Sequence, residues 1–450
     1  MRTVGIIAEY NPFHKGHAYH IQKAKEATGA DFAVVAISGN FVQRGGPAII
    51  DKYTRTKMAL LGGADVVLEL PVPFATAAAP IFAKAGVELF NHLGCVDALC
   101  FGSESGDIDS LCFAARTLAE EPPIYKKLLQ TFLKAGNSYP KSVQMAMQAY
   151  AQKKMLEIAN ENTPSILSKD DILSKNKSVH STSAELIASP NDTLAIEYLK
   201  ALFQSSSTIV PFAVKREGNG YHETTLSSEF ASASAIRKNL ETYPSDKKNT
   251  NAILYSLAQF LPASSLSLME TAFGRTFPVT EDDFSLALGM ILQTGKMTNG
   301  MPICQAADMT DELVDRMKHV YSSGALFTFS ELAEQLKTKN ITRARINRAL
   351  LHCLLSISQD DLTSFQEYGC YSYARILGFQ RNAAPLLKSM KKNADIPILT
   401  KLADAKNKLD KTGSKILSLE LDSSFLYRQA VWCKFHELLP DEYRAGVIIV

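Results

Sequence analysis

Three features that would each mark a definite class of protein are missing from this sequence. Its seven cysteines are scattered and form no CxxC pair, which argues against a zinc ribbon, a dithiol redox site and a disulfide framework. We expect them to be reduced core residues. No apolar run approaches the roughly 18 residues of a membrane span, and no basic and apolar leader precedes the first predicted strand. We therefore expect a cytoplasmic protein without a membrane partner.

A strong charge of one sign is also missing. Lysine and arginine number 48 and aspartate and glutamate 46, which gives a formal net charge of +2. A surface for nucleic acid would therefore have to come from local clusters of cations. The 450 residues are 46% hydrophobic and 21% charged, values typical of globular proteins, and the length allows two or three domains.

The stretch from residue 4 to residue 20 predicts a buried strand, a tight turn and the start of a helix. Pro12 ends the apolar strand, and the residues after it arrive at the first turn of a helix that Gly29 would end. His14 and His17 share one face of that turn, beside unpaired N–H groups and the positive end of the helix dipole, which favours an anion. Ordinary surface histidines and a pair of metal ligands are the alternatives.

Further strand and helix signals alternate over the first hundred residues. We predict strands at 32–38, 65–70 and 96–101, a helix at 51–61 and a buried helix within 74–93. Repeated βα units of this kind predict an α/β fold with a doubly wound, Rossmann-like parallel sheet, which binds ligands at the carboxyl ends of its strands. Arg44, in the polar loop after the second predicted strand, suits a phosphate or carboxylate as well as plain solvent.

The middle of the chain continues this alternation less regularly. Residues 108–160 look helical, and an excursion rich in Ser, Lys and Asp follows at 163–183. A helix restarts at residue 189 and a strand follows at 208–215.

Beyond residue 245 short helical patterns replace the glycine-containing loops. We therefore predict a catalytic domain at 1–245 and a mainly helical domain at 246–450. Within the second domain one helix carries a stripe of Arg343, Arg345 and Arg348, which suits an RNA backbone or a solvated face. Aromatic and basic residues at 371–381, with lysines shortly after them, suit either stacking on unpaired bases or core packing.

Two short motifs resemble known signatures. Asn-Pro-Phe-His-Lys-Gly-His at 11–17 resembles the HxGH signature of the nucleotidyltransferase superfamily, and Ser232-Ala-Ser234-Ala-Ile-Arg237 resembles its second signature. With the segments at 38–45 and 55–59, the pattern closely resembles the bacterial tRNA(Met) cytidine acetate ligase family over the whole chain. Ser232 and Ser234 at a helix start, with Arg237 one turn in, suit the β- and γ-phosphates of ATP, although serine at a helix start is often only a cap.

The resemblance implies an ATP site and a reaction. It implies that the nucleotide is contacted by Ile7, Ala8, Glu9, Tyr10, Asn11, Pro12, Phe13, His14, Lys15, Gly16, His17, His20, Gly102, Asn191 and Arg216. It implies that His14 and His17 act on the α-phosphate while Ser232, Ser234 and Arg237 hold the β- and γ-phosphates. Asn191 lies in a segment that resembles the family's Pro-Asn-Asn-x-Leu-Gly, from which Asp192 and Ala195 depart.

The implied chemistry is the activation of acetate as acetyl-adenylate, with magnesium arriving as the ATP complex. The acceptor would be N4 of the wobble cytidine of elongator tRNA(Met), which would become N4-acetylcytidine, and no DNA partner is expected. Two alternatives stay open: a nucleotidyltransferase that acts on another small acid or cofactor precursor, and a non-catalytic RNA-binding protein. The long helical half with its basic stripe argues against the first, and the two intact signatures argue against the second.

Overall fold

The computed structural model describes residues 1–161, 189–216, 231–241, 250–322, 324, 326–339 and 341–450. The chain divides into two compact units, of which the first combines residues 1–99 with 218–450 and the second holds residues 100–217. The predicted domain boundary near residue 245 stays a prediction, since the compact units divide the chain at other points. The excursion expected at 163–183 lies outside the described residues.

A mixed sheet, mostly parallel at its centre, organises the first unit. Its strand order is β10–β8–β5–β2–β1, with β9 beside β8 and the first residues of β6 beside β1. The described strands are β1 Thr3–Ala8, β2 Phe32–Ser38, β3 Phe41–Val42, β4 Gly46–Pro47, β5 Val66–Leu70, β6 Ala98–Ser103, β7 Val210–Lys215, β8 Ala374–Phe379, β9 Ile398–Leu399 and β10 Ile448–Ile449. The predicted α/β fold with a doubly wound parallel sheet is confirmed.

Helices connect these strands and make up most of the C-terminal half. The described helices are α1 Lys15–Thr28, α2 Lys52–Leu61, α3 Val72–Ala75, α4 Ala79–Leu93, α5 Ile108–Glu120, α6 Pro123–Lys134, α7 Tyr139–Glu161, α8 Pro190–Gln204, α9 Ala233–Glu241, α10 Thr250–Leu257, α11 Ala263–Ala272, α12 Ser285–Thr294, α13 Asp311–Ser322, α14 Phe329–Leu336, α15 Arg343–Leu355, α16 Gln359–Glu367, α17 Ala384–Asn393, α18 Ala405–Lys408 and α19 Lys411–Phe435. The mainly helical C-terminal half is confirmed, but it also supplies strands β8, β9 and β10 to the sheet.

The ends of three parallel strands lie at one level of the sheet. Ala8 of β1 pairs with Ile37 of β2, and Ile37 pairs with Glu69 of β5. Strand β8 runs antiparallel to β5 and places Arg375 opposite Glu69. The loops that follow β1, β2 and β5 therefore leave from a common edge, which we call the carboxyl edge and where open α/β sheets bind their ligands.

Helix α19 packs along the carboxyl edge. The Glu420 carboxylate accepts a hydrogen bond from the backbone N–H of Val72, directly after β5 (2.8 Å). The Tyr427 hydroxyl donates to the backbone oxygen of Ala48, in the loop after β2 (2.8 Å). Because both contacts join the end of the chain to loops of its first hundred residues, the sheet and the C-terminal helix share one core.

The second unit combines β6 and β7 with the helices α5 to α8. Phe101 of β6 lies against Tyr198 of α8, with ring centroids 5.9 Å apart. Tyr125 of α6 meets Tyr150 of α7 edge to face at 6.1 Å. These aromatic contacts give the unit a core of its own.

The cysteines only partly follow the sequence expectation. All seven are free thiols, and three of them are buried: Cys100, Cys353 and Cys370. Cys304 and Cys433 are exposed, so the prediction of seven core residues was wrong for these two. Within the described ranges, no helix has the length and apolar character needed to cross a membrane.

Candidate active site

The first signature forms a turn, residues 9–17, between β1 and α1; we call it the signature turn. His14 is the N-cap of α1, and its Nδ1 accepts a hydrogen bond from the backbone N–H of Gly16 (3.1 Å). The Nδ1 atom of His17 accepts one in return from the backbone N–H of His14 (3.3 Å). Both rings are therefore fixed by backbone donors, and each neutral ring carries its proton on Nε2.

The two imidazoles stack on each other. Their centroids are 3.7 Å apart and their planes 27° apart, with His14 buried and His17 half-buried. The pair lies at the N-terminal end of α1, where the helix dipole is positive and first-turn N–H groups point outward. Because His14 already takes the Gly16 N–H, the rings themselves are the donors best placed for a phosphate.

The ring of Tyr10 packs against the stacked histidine pair on the side of His17. Tyr10 lies 4.7 Å from the His17 ring and 4.8 Å from the Phe13 ring, measured between centroids. Tyr10 has a φ of +49°, a left-handed backbone conformation that costs a non-glycine residue roughly 1–2 kcal/mol. Such strained residues persist where the surrounding structure overrules local preference, as it does at many binding sites.

Arg237 joins the second signature to the first. Its guanidinium donates to the backbone oxygen of Asn11 (2.7 Å) and to Ser234 Oγ (3.1 Å). Ser232, at the start of α9, accepts a hydrogen bond from the backbone N–H of Ala235 (3.1 Å) and so caps the helix. The structure therefore brings the N-terminal ends of α1 and α9 together, as expected for two motifs that share a triphosphate.

A buried arginine that had no predicted role holds the carboxyl edge together. Arg55 is fully buried and donates to the backbone oxygens of Glu9 (2.7 Å) and Ile50 (2.9 Å). It also donates to the backbone oxygen of Ser38 (3.0 Å) and, in a short hydrogen bond, to the backbone oxygen of Gly39. A single guanidinium thus ties the end of β1 to the loop after β2, and we regard Arg55 as a positioning residue.

Two side chains of the signature turn also bind the loop that follows β2. The Glu9 carboxylate accepts the backbone N–H of Gln43 (3.0 Å), and the Asn11 side-chain oxygen accepts that of Ile49 (2.8 Å). The backbone oxygen of Asn11 therefore binds the second signature, and its side chain binds the loop after β2. The turn is fixed from two directions before any ligand binds.

Next to this loop lies a buried ion cluster, formed by Lys52, Arg375, Glu69, Glu420 and Glu442. Lys52 Nζ lies 2.5 Å from Glu69, 2.9 Å from Glu420 and 3.0 Å from Glu442. Arg375 contacts Glu69 at 2.9 Å and Glu442 at 2.7 Å. Three carboxyl groups thus meet two cations in the core.

The protonation of the cluster follows from this imbalance. Burial, together with the neighbouring Glu69, raises the pKa of Glu420 to about 8. Burial alone would also raise the pKa of Glu442, but Lys52 and Arg375 outweigh it and hold that pKa well below its usual range. With Glu420 protonated at neutral pH, the two cations balance the two remaining carboxylates.

The basic stripe of α15 is mostly neutralised. Arg343 forms a salt bridge with Glu281 at 2.6 Å. Arg348 forms a bidentate salt bridge with Asp308, with distances of 2.8 and 3.0 Å. Arg345 is exposed and forms no ion pair with the described residues. Of the three arginines, Arg345 is therefore the one that is exposed without an ion pair to the described residues.

Arg44 lies beside this helix. It belongs to the hairpin of β3 and β4, whose turn residue Gly45 has a φ of +80°. A Cβ atom at Gly45 would collide with the backbone nitrogen of Arg348, so only glycine allows the hairpin to approach α15 this closely. Arg44 is exposed next to Gln43, which the Glu9 carboxylate holds.

The aromatic stretch before Arg381 belongs to the core. Tyr371 and Tyr373 are buried, at 6% and 1% exposure, and Arg375 is part of the ion cluster. Of the two interpretations left open by the sequence, core packing is therefore correct for these residues, because β8 inserts them between β5 and the C-terminal chain.

Three expected nucleotide contacts lie in the second unit. A Cβ at Gly102 would come within 3.4 Å of the Arg216 side chain, which passes over this glycine. The Asn191 side chain donates to the Glu104 carboxylate (2.5 Å). Asp192, one of the two residues that depart from the family pattern, is buried and accepts the backbone N–H groups of Glu104 (3.1 Å) and Ser105 (3.2 Å).

Arg55 and the ion cluster were missed because their partners are far away in sequence. Lys52 and Glu420, for example, are 368 positions apart. One local signal existed: Lys52 and Arg55 lie on the buried face of α2 with Thr56 and Met58. Charged residues on the apolar face of a helix between two parallel strands require internal partners.

Comparisons with known proteins agree with this geometry. The model of the HIGH Nucleotidyl Transferase family matches residues 1–437. A protein of Acetivibrio thermocellus named tRNA(Met) cytidine acetate ligase is 37% identical over 452 residues, covering 100% of both chains. A protein of the same name from Clostridium perfringens is 38% identical over 407 residues, covering 90% of this chain and 91% of its own.

Solved structures extend the agreement to the fold. The crystal structure of Thermotoga maritima TmcAL bound with alpha-thio ATP has a TM-score of 0.82 at 27% identity, and its apo form has 0.83 at 28%. Both cover 100% of each chain. By its sequence, its two joined signatures and its fold, the chain belongs to the tRNA(Met) cytidine acetate ligase family, enzymes of the ligase class within the HIGH nucleotidyl transferases.

Proposed function

We propose that the chain is an ATP-dependent acetate ligase of the cytoplasm that acetylates N4 of the wobble cytidine of elongator tRNA(Met). The observation that carries this proposal is the junction of the stacked His14–His17 pair with the start of α9 through Arg237. The names of the relatives support the acid and the RNA, and the alpha-thio ATP in the Thermotoga maritima structure supports the nucleotide.

The first step activates the acid. A carboxylate oxygen of acetate attacks the α-phosphorus of ATP, a C–O–P mixed anhydride forms, and the bond to the bridging oxygen breaks as pyrophosphate leaves. Negative charge grows on the α-phosphate oxygens and on pyrophosphate, so fixed donors accelerate the step without a covalent nucleophile. His14 and His17 donate from Nε2 to the α-phosphate, while Ser232, Ser234 and Arg237 bind the departing pyrophosphate.

The second step transfers the acetyl group. The N4 amine of cytidine attacks the carbonyl carbon of acetyl-adenylate, an amide bond forms, AMP leaves and the amine loses a proton. An exocyclic amine is a weak nucleophile, so the chain must hold it next to the anhydride and exclude competing water. The signature turn is preorganised for this by Arg55 and Asn11.

The remaining assignments follow the family. We propose Gly102, Asn191, Arg216 and His20 as further ATP contacts, Lys15 as an exposed cation beside the phosphates, and Arg44 and Arg345 as contacts to substrate or RNA. In the described part of the chain, no group of three His, Cys, Asp or Glu side chains is arranged to hold a metal ion. We therefore assign magnesium to the ATP complex, and the steps above do not depend on a protein-bound metal.

Nucleoside analysis tests the proposal. Purified protein is incubated with ATP, labelled acetate and bacterial tRNA lacking the modification, followed by digestion and chromatography. We expect labelled N4-acetylcytidine, formed only when ATP is present. Its absence, with ATP binding intact, would contradict the acetate and tRNA assignments.

A matched set of variants assigns the reaction to the signature turn. His14→Asn keeps an acceptor for the Gly16 N–H, so α1 stays capped, but it removes the Nε2 donor. We expect a loss of roughly 10²–10³-fold in rate, the usual effect of removing one fixed transition-state donor. His319→Ala, an exposed histidine of α13, serves as the control and should keep full activity.

A further inference from the structure

One segment of the C-terminal half is rich in basic residues. Between residues 381 and 415 nine lysines and arginines face three aspartates, a net charge of +6. Because the whole chain carries only +2, the remainder has a net charge of −4. The segment therefore carries a local excess of positive charge that the chain as a whole lacks.

The three aspartates compensate only a small part of this charge. Asp395 pairs with His92, Asp404 pairs with Lys408, and Asp410 caps α19 through the backbone N–H of Gly413. Seven of the nine cations are exposed and form no ion pair in this fully described segment: Arg381, Lys388, Lys391, Lys392, Lys401, Lys406 and Lys411. These seven cations outnumber the three aspartates of the segment.

Rigid elements carry these cations. Lys388, Lys391 and Lys392 are spaced i, i+3 and i+4 on α17 and share one face of that helix. Leu386 and Met390, on the other face, are fully buried and anchor the helix in the core. The chain then returns to the sheet through β9, so that the segment is held at both ends of α17.

Lysines spaced along one helix face can contact successive phosphates of a polyanion such as RNA. Each RNA phosphate contacted by a cation releases condensed counterions, which gives affinity without base specificity. Lysine acts here as a point charge, whereas arginine would also read base edges or stack. We propose that this segment, first of all Lys388, Lys391 and Lys392, binds the sugar-phosphate backbone of the RNA acceptor. The proposal rests on the proposed function for the identity of that acceptor.

Salt-dependent binding tests the proposal. The triple variant Lys388→Gln, Lys391→Gln, Lys392→Gln is compared with wild type and with Lys127→Gln, Lys134→Gln, Lys141→Gln. The control lysines are exposed in the second unit, and their replacement changes the net charge equally. Affinity for unmodified tRNA is measured by fluorescence anisotropy over a series of salt concentrations.

We expect the plot of log affinity against log salt to lose about 2 to 3 units of slope in the α17 variant, from roughly 0.7–0.9 per lost phosphate contact. At low salt the affinity should fall about tenfold or more, while the control variant should match wild type. Unchanged affinity and slope in the α17 variant would overturn the proposal. So would loss of binding to vesicles of phosphatidylglycerol and phosphatidylcholine with tRNA affinity unchanged, since the face would then serve a membrane.

Failure of this proposal can be told apart from failure of the proposed function. Acetate-dependent exchange of pyrophosphate into ATP needs no RNA and is measured on wild type. If exchange occurs but the α17 variant binds tRNA normally, only the surface assignment is wrong. If exchange is absent, the proposed function is wrong whatever the RNA affinity.

Discussion

Two groups of charged side chains in the first unit differ in the partners of their cations. At the signature turn, Arg55 and Arg237 donate to backbone carbonyls and a serine, and neither forms an ion pair with the described residues. In the ion cluster, Lys52 and Arg375 each face two or more carboxyl groups. Among the described residues, Arg55 and Arg237 therefore have no ion-pair partner, whereas the charges of Lys52 and Arg375 are neutralised by carboxyl groups of the ion cluster.

The difference separates a binding site from a structural element. A buried ion pair repays its desolvation only when every charge has a partner, and the ion cluster meets this condition with one carboxyl group protonated. At the signature turn the Glu9 carboxylate accepts a backbone N–H, and neither Arg55 nor Arg237 forms an ion pair with the described residues. Such a site is electrostatically incomplete until an anion such as a triphosphate binds.

Removing the central cation of the ion cluster should have the largest effect. Lys52→Met would leave three carboxyl groups with Arg375 alone, and we expect a loss of about 3 to 5 kcal/mol in the free energy of unfolding. Denaturant titration measures it. Lys57→Met, an exposed position on the same helix, should change stability by less than about 0.5 kcal/mol. Similar values for the two variants would contradict a structural role for the cluster.

Adding a carboxylate beside Arg237 should give this arginine an ion pair like those of the ion cluster. Ser234→Asp would place an acid next to Arg237, whose guanidinium lies 3.1 Å from the Ser234 hydroxyl. The new ion pair leaves folding intact but repels the triphosphate, and we expect about a hundredfold loss of pyrophosphate exchange. Ser234→Asn is the uncharged control. If both variants lose activity equally, shape rather than charge governs the site.

Replacing the arginine of the second signature by lysine should have a smaller effect. Arg237→Lys keeps the charge but cannot donate to both Asn11 and Ser234 in a fixed plane, so we expect the KM for ATP to rise about tenfold. Exchange rates over a range of ATP concentrations measure this. Lys238→Arg, the exposed neighbour on α9, should leave the KM unchanged.

The protonated carboxyl group of the ion cluster predicts a modest pH dependence of stability. The pKa of Glu420 is raised from 4.5 to about 8 in the folded protein, so unfolding releases a proton in this interval. Its contribution to stability is complete below pH 4.5 and is lost as the pH rises to 8. Glu420→Gln should remove this decline and, at pH 5, change stability by less than about 1 kcal/mol. Parallel curves for the variant and wild type would show that Glu420 is ionised.

The parts that the sequence predicted are local. The strand of residues 4–8, the turn at Pro12 and the helix stop at Gly29 follow from neighbouring residues, and the structure shows them as β1, the signature turn and α1. The second signature was found by its resemblance to the superfamily pattern, which is local because its serines and arginine lie within six residues. Its contact with Asn11 spans 226 positions and could be inferred only from the family.

The parts that the sequence missed depend on distant partners. Strand β8 was not predicted, since Ala374–Phe379 becomes a strand by pairing with β5, more than 300 positions away. The interpretation of Arg343 and Arg348 as an RNA-facing stripe depended on their having no acidic partner, and Glu281 and Asp308 supply one. Charge compensation of this kind is a property of the folded chain, not of its helical spacing.

One measurement tests the central claim that the signature turn activates acetate with ATP. Wild-type protein is incubated without RNA in the presence of ATP, labelled pyrophosphate and either acetate or a longer acid. The account predicts that label enters ATP only with acetate and that His17→Ala abolishes this exchange. Exchange without acetate, or no exchange at all from folded, ATP-binding protein, would contradict it.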